Sequence, residues 1–179
     1  MAGTTTSSLS PQLARPVNAE EDERDVSTMS NQITSFHGEY RWLSNFWLAE
    51  VQYVGYVFPT VEHAYQAAKA ADDVGRMFIE GAKTPGEAKR RGRRVEQRPD
   101  WMDVRLEVME GLLRQKFAPG GELAEKLKAT GEAELIEGNS WGDKYWGSVK
   151  MWTNNGWTWL GENRLGKLLM KIRADLLGK

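Results

Sequence analysis

A chain of 179 residues, 40% of them hydrophobic, is long enough for one domain with a sizeable core. With no cysteine and only two histidines, thiolate catalysis, cysteine-held zinc or iron–sulfur clusters and a His-rich metal centre are excluded, so neither metal nor cofactor is expected. The net charge of −1 and the lack of a long apolar run argue against a strongly basic DNA-binding domain and a membrane partner, and the expected setting is a reducing, cytoplasmic one.

Residues 1–31 are rich in Ser, Thr, Pro and acidic side chains without apolar period. They read as a disordered tail ahead of a domain over residues 32–179. Residues 1–35 carry five acids and two arginines, a net of −3, which leaves the remainder at +2. A short strand near 33–36 leads into a loop carrying Tyr40, Trp42, Ser44, Asn45 and Phe46. "LAEVQYVGYVF" then predicts a hairpin, with strands around 48–53 and 56–58, Gly55 in the turn and Pro59 ending the second strand.

"FPTVEHAYQAAKA", residues 58–70, predicts a helix from Val61 capped by Thr60, with Val61, Ala64, Ala68 and Ala71 inward. Glu62, Gln66 and Lys69 share another face, two helical turns in extent. A carboxylate and an amine so spaced describe a solvated face as well as a reactive one; a nucleophilic amine would need burial to lower its pKa. His63 lies about 100° round the helix from Glu62 and is expected to pack beneath the hairpin, with the cleft as the other option.

A short helix over 73–81 is expected to turn Val74, Met77 and Phe78 inward. "TPGEAKRRG" combines a Thr84/Glu87 capping box, Pro85 in the first turn and Gly92 as a stop. The run over 89–98 holds five arginines and a lysine, a phosphate-binding patch or a solvated helix end. A long helix follows over 101–117, capped by Asp100, with Trp101, Val104, Val108 and Leu112 on one face. Another covers 122–129, with Leu123 and Leu127 inward, and "AELIE" predicts a short strand.

Residues 138–161 are rich in Gly, Asn and Trp, and hold five of the eight tryptophans. They predict a long structured loop with strands near 145–152 and 156–160. In "GNSWGDKYWG", Asp143 sits among turn formers and aromatic rings: a presented carboxylate, or one that only bonds its own turn. Tyr145 or Trp146 could stack on a flat base. "GENRLG" opens a C-terminal helix over 164–177, capped by Asn163, whose N-terminus with Arg164 and Lys167 would suit a phosphate. The elements amount to one α+β domain, mostly α-helical, with a small antiparallel sheet near the front.

Six stretches in this order, "LSNF", "FPTVEHAYQAAK", "AKRRGRR", "DWMDVRLEVMEGLLRQKF", "DKYWG" and "GENRLGKLLMKIR", resemble the NADAR (YbiA-like) family over about Phe36–Leu177. The resemblance implies an N-glycosidase fold and activity: cleavage between ribose C1 and a base-type nitrogen. Two substrates come with it, ADP-ribose on guanine in DNA or RNA, taken as the leading reading, and phosphorylated ribosylamino-pyrimidine intermediates of riboflavin synthesis. A non-catalytic reader of ADP-ribose is the rival class. By motif position the resemblance implies Glu62, Lys69 and Asp143 as catalytic residues, with Lys69 forming a Schiff base in the guanine case. It also implies substrate contacts at Ser44, Asn45, Phe46, Trp101, Trp146 and Asn163. The same motifs bring His63, Tyr145, Gly147 and Arg164 into the expected substrate-binding set.

Overall fold

The computed structural model describes residues 31–154 and 156–179, so the expected tail lies outside the described residues apart from Asn31. Helix α1 (Val61–Ala68) is the central element, and every one of its residues is buried. Thr60 caps it as expected, its hydroxyl accepting from the His63 amide at 3.2 Å. Three alanines, Ala64, Ala67 and Ala68, keep its surface thin, which lets neighbouring elements pack close. Those neighbours are α2 (Asp73–Glu80), α3 (Pro85–Arg91), α4 (Trp101–Lys116) and the hairpin of β2 (Val51–Tyr53) and β3 (Tyr56–Phe58).

The β2–β3 turn is Val54–Gly55, with φ of 48° and 80°. Both positions are left-handed, the signature of the two-residue turn that matches strand twist. Gly55 adopts this freely; Val54, being β-branched, does not.

Helix α5 (Glu122–Ala129) and helix α6 (Arg164–Leu176) close the other side, and α6 packs on α5, α4 and β4 (Glu134–Leu135). Strand β4 pairs in parallel with β1 (Gln32–Ile33), a long-range pairing that periodicity did not foretell. Strands β5 (Val149–Thr153) and β6 (Gly156–Leu160) form the second antiparallel hairpin. The main core joins Leu43 and Phe58 to Leu112, Leu113 and Phe117 of α4, then to Leu135 and to Leu165, Leu169 and Ile172 of α6. Truncating any of these leucines to Ala would cost about 2–5 kcal/mol.

Several expectations change on inspection. Helix α2 turns only Ile79 fully inward. Val74 is 76% exposed, and Met77 and Phe78 are exposed too, with Arg91 and Arg94 lying on the Phe78 ring. Arginine stems cover that ring where core was expected. Ala71 is exposed because α1 ends at Ala68. Val104 and Val108 are half-buried; Met109 and Leu113 take the deep positions of α4. Asp100 makes no side-chain cap, its carboxylate being drawn to Arg98 at 2.6 and 2.8 Å. Among the described residues no helix is long and apolar enough to cross a membrane.

Candidate active site

The polar face of α1 is not a solvated outer surface: Glu62 and Gln66 are buried and Lys69 is half-buried. It forms one wall of a cavity of about 350 Å³. Glu62, Tyr65, Gln66 and Lys69 come from this helix and its end, and Ser44, Asn45 and Phe46 from the front loop with Phe36 and His37 behind it. Trp101, Arg105 and Met109 come from α4, Lys89 from α3, and Glu137, Gly138, Trp141, Asp143 and Trp146 from the segment after β4. Leu165 of α6 completes the floor.

Glu62 is 6% exposed. Its amide donates to the Asn45 carbonyl at 3.0 Å, which ties the front loop to the first turn of α1. Its Oε1 accepts from Gln66 Nε2 at 2.8 Å, and Gln66 Oε1 accepts from Lys69 Nζ at 3.4 Å. Burial pushes the Glu62 carboxyl above its ordinary range; Gln66, Lys89 and Lys69 pull against this and Asp143 adds to it. Burial likewise pulls the Lys69 amine below its ordinary value, Glu62 opposing, Arg93 and Lys89 assisting. The amine thus holds a larger neutral fraction than a surface lysine, which a nucleophile requires.

Asp143 lies on the opposite wall. Its Oδ1 accepts from the amides of Tyr145 and Trp146 at 3.0 and 2.9 Å. Its own backbone is fixed by Asn139, which accepts from the Asp143 amide and donates to the Asp143 carbonyl. The carboxylate shapes its turn and also lines the cavity, so it does not only bond its own turn.

Aromatic rings frame the space between. Tyr65 meets Trp101 at 4.9 Å and Trp146 edge-on at 5.4 Å, so the three rings lock as a corner. The Arg105 guanidinium lies 3.7 Å from the Tyr145 ring centroid, and its buried Nε has no hydrogen-bond partner among the described residues.

The structure gathers Ser44, Asn45, Phe46, Glu62, Lys69, Trp101, Asp143 and Trp146 around one cavity. It sets five expected contacts behind the wall. His63 is buried with Nδ1 2.8 Å from Thr60 Oγ1 and its ring toward the Ala82 backbone and Glu87, on the α2–α3 side, and burial pulls its pKa down. Tyr145 is turned against Trp146, Arg105 and Arg164. Arg164 is further held by Glu162 at 2.7 Å. Gly147 and Asn163 contact Glu137 rather than the cavity. Sequence reasoning missed Glu137, Arg105 and Trp141, and reached Lys89 only as one member of the 89–98 basic run. Glu137 was read as the end of a strand, and Lys89 and Arg105 were two among many basic residues; only the acid directly before the Gly138–Asn139 turn offered a local signal.

Comparison with known proteins identifies the family and a structural neighbour of the fold. The NADAR domain profile matches residues 32–177. The N-glycosidase YbiA of Escherichia coli (strain K12) is 36% identical over 166 residues, covering 90% of this chain and 97% of that protein. An N-glycosidase of Nostoc punctiforme is 34% identical, covering 76% of this chain and 86% of its own. A riboflavin biosynthesis protein of Vibrio vulnificus is 36% identical over 137 residues, 75% of this chain, but the match spans only 35% of that longer protein. The NMR structure of E. coli YbiA superimposes with a TM-score of 0.66 at 35% identity, covering 86% of this chain and 90% of that one.

Proposed function

Since the chain belongs to the NADAR domain family, we propose that it is an N-glycosidase that hydrolyses the bond between ribose C1 and a base nitrogen, removing ADP-ribose from ADP-ribosylated guanine in DNA or RNA. The observation that carries this is the buried Glu62–Gln66–Lys69 array facing Asp143 across an aromatic-walled cavity. Its relatives named N-glycosidases support the reaction class.

In this reading the flat base lies among Trp101, Trp146 and Phe46. Breaking the C–N bond builds positive charge on C1 and the ring oxygen, which the carboxylates of the cavity stabilise. The neutral Lys69 amine attacks C1, the bonding pair leaves with the base nitrogen, and Glu62 takes the proton that Lys69 sheds. Opening of the ribose ring gives an imine, which water hydrolyses to release the sugar and restore Lys69. Lys89 and Arg105 are the cations placed to meet phosphate groups. The cavity of about 350 Å³ suits a ribosylated base, and the rest of an ADP-ribose would extend past Lys89 and the exposed Trp141 at its mouth.

A second reading is favoured by the relative named as a riboflavin biosynthesis protein: a phosphorylated ribosylamino-pyrimidine as substrate. The two share the ribose C1–N bond, the flat leaving group and a phosphate. The test is incubation with a guanine-ADP-ribosylated oligonucleotide and, separately, with the pyrimidine intermediate, products being weighed by mass spectrometry. Free ADP-ribose from the first supports the leading reading. Ribose phosphate from the second alone moves the chain to the alternative. Turnover of neither, with ligand binding retained, would assign a non-catalytic reader.

A further inference from the structure

We propose that Glu137 is the proton donor to the leaving base nitrogen, and that Asn163 and Gly147 are the residues that position it. This deepens the N-glycosidase reading and rests on it. Glu137 lines the same cavity as Glu62 and Asp143. Its Oε2 is nonetheless shut off from solvent and accepts no hydrogen bond among the described residues. An anion with a buried, unused oxygen is costly; a neutral carboxyl is much less so. Burial is the largest influence and raises the carboxyl pKa, Asp143 and Glu62 raise it further, and Lys89 and Lys116 oppose, leaving it at about 7. A donor so poised suits proton transfer at neutral pH.

The backbone of Glu137 is held by motif residues that do not themselves reach the cavity. Asn163 Oδ1 accepts from the Glu137 amide at 3.0 Å, and Asn163 Nδ2 donates to the Leu135 carbonyl at 2.8 Å. Asn163 does this from a left-handed backbone (φ 48°), which asparagine tolerates well. Gly166 leaves room for it: a Cβ there would sit 2.6 Å from both ends of the Asn163 amide. Gly147 presses on Glu137 from the other side, where a Cβ would lie 2.3 Å from its carbonyl oxygen and 3.0 Å from its Cγ. "YWG" and "ENRLG" therefore converge on one carboxyl group.

The proton balance closes without any further reactant. As the C1–N bond breaks, its electron pair goes to the base nitrogen, which takes the Glu137 proton. Glu62 returns to the imine nitrogen the proton it took from Lys69, water adds to C1, and Glu137, now a carboxylate, recovers its proton from that water. The sum is one water consumed, one N–H formed on the base and one hydroxyl formed on the sugar.

The experiment is a pH–rate profile of wild type, Glu137→Gln, Glu137→Asp and Asn163→Ala on whichever ribosylated substrate the wild type turns over, with thermal melts to check folding. Wild type is expected to lose kcat/KM above a midpoint near pH 7. Glu137→Gln is expected to fall by about 10²-fold or more and to lose that alkaline limb. Asn163→Ala, as a positioning change, is expected to lower kcat with KM nearly unchanged and to shift the limb. A folded Glu137→Gln within threefold of wild type, or one that keeps the limb, overturns the assignment. Should the Gln protein not fold, Glu137→Asp decides: a reduced rate with a displaced limb supports the donor role, and an unmoved limb overturns it. Wild type inactive on every ribosylated substrate would instead remove the N-glycosidase reading itself.

Discussion

Gly92 and Gln66 occupy each other's space: a Cβ on Gly92 would lie 2.0 Å from Gln66 Oε1 and 2.8 Å from its Cδ. The end of α3 closes onto α1 only because this residue has no side chain. Gln66 is thereby confined to the position from which it donates to Glu62. A glycine outside the cavity thus fixes the hydrogen bonding of a carboxylate inside it.

Gly92→Ala is therefore expected to displace Gln66, lowering stability by about 1–3 kcal/mol and turnover by roughly tenfold, the worth of one buried hydrogen bond. A Gly92→Ala, Gln66→Ala double variant relieves the clash, recovering stability while turnover stays low. Melting temperatures and initial rates of the four proteins in the cycle measure this coupling.

Val54 offers a change remote from the cavity. It occupies the left-handed region at φ 48° beside Gly55, and is exposed. Val54→Asn makes the Asn–Gly pair preferred in this turn, and is expected to raise stability by about 1 kcal/mol with no effect on turnover. Chemical denaturation checks it through the midpoint at constant slope.

Lys116 is a buried amine at the back of the front loop, 5% exposed, donating to the Ser44 carbonyl at 2.7 Å. Burial pulls its pKa down to about 7, with Glu137 opposing. Because the folded value lies below the unfolded one, the cost of burying the ammonium is fully present below pH 7 and fades as pH rises toward 10.5. Lys116→Met is expected to be more stable than wild type at pH 6, the gap narrowing by pH 9. It is also expected to raise KM severalfold, because Ser44 loses its tether. Melts across pH, with a KM at pH 7.5, test both parts.

Glu137 gives the complementary pH signature. Its folded pKa, about 7, lies above the ordinary 4.5, so the native state holds a proton that the unfolded chain releases between those values. Stability contributed by Glu137 is full below pH 4.5 and is lost as pH rises to 7, by roughly 3 kcal/mol. Melts of Glu137→Gln between pH 4.5 and 7.5 should decline less steeply than those of wild type; parallel curves would contradict the raised value.

Helix boundaries were legible because local chemistry sets them. Thr60 and Thr84 cap as expected; α4 and α6 start at the expected residues, but neither Asp100 nor Asn163 makes a side-chain cap. Motif order singled out Glu62, Lys69 and Asp143, and the fold brings these three to one cavity. The β1–β4 pairing was not, since it joins residues about a hundred positions apart and no local pattern encodes it. The direction of α2 was missed because Arg91 of α3 and Arg94 just beyond it cover Phe78, a tertiary arrangement that periodicity cannot see. Glu137 was missed for the same kind of reason. Its burial depends on α1, α4 and the 143–147 turn closing around it, and its immediate sequence shows only an acid before a glycine. Asn163 and Gly147 were placed in the pocket by motif, whereas their side of the fold reaches the cavity through Glu137.

The most direct test of the central claim, that the Lys69 amine attacks ribose C1, is intact-protein mass spectrometry after a borohydride quench during turnover of the guanine-ADP-ribosylated oligonucleotide. The account predicts a single ADP-ribosyl adduct on wild type that peptide mapping places on Lys69, and none on Lys69→Ala. Substrate consumed by wild type with no adduct at any quench time would contradict it.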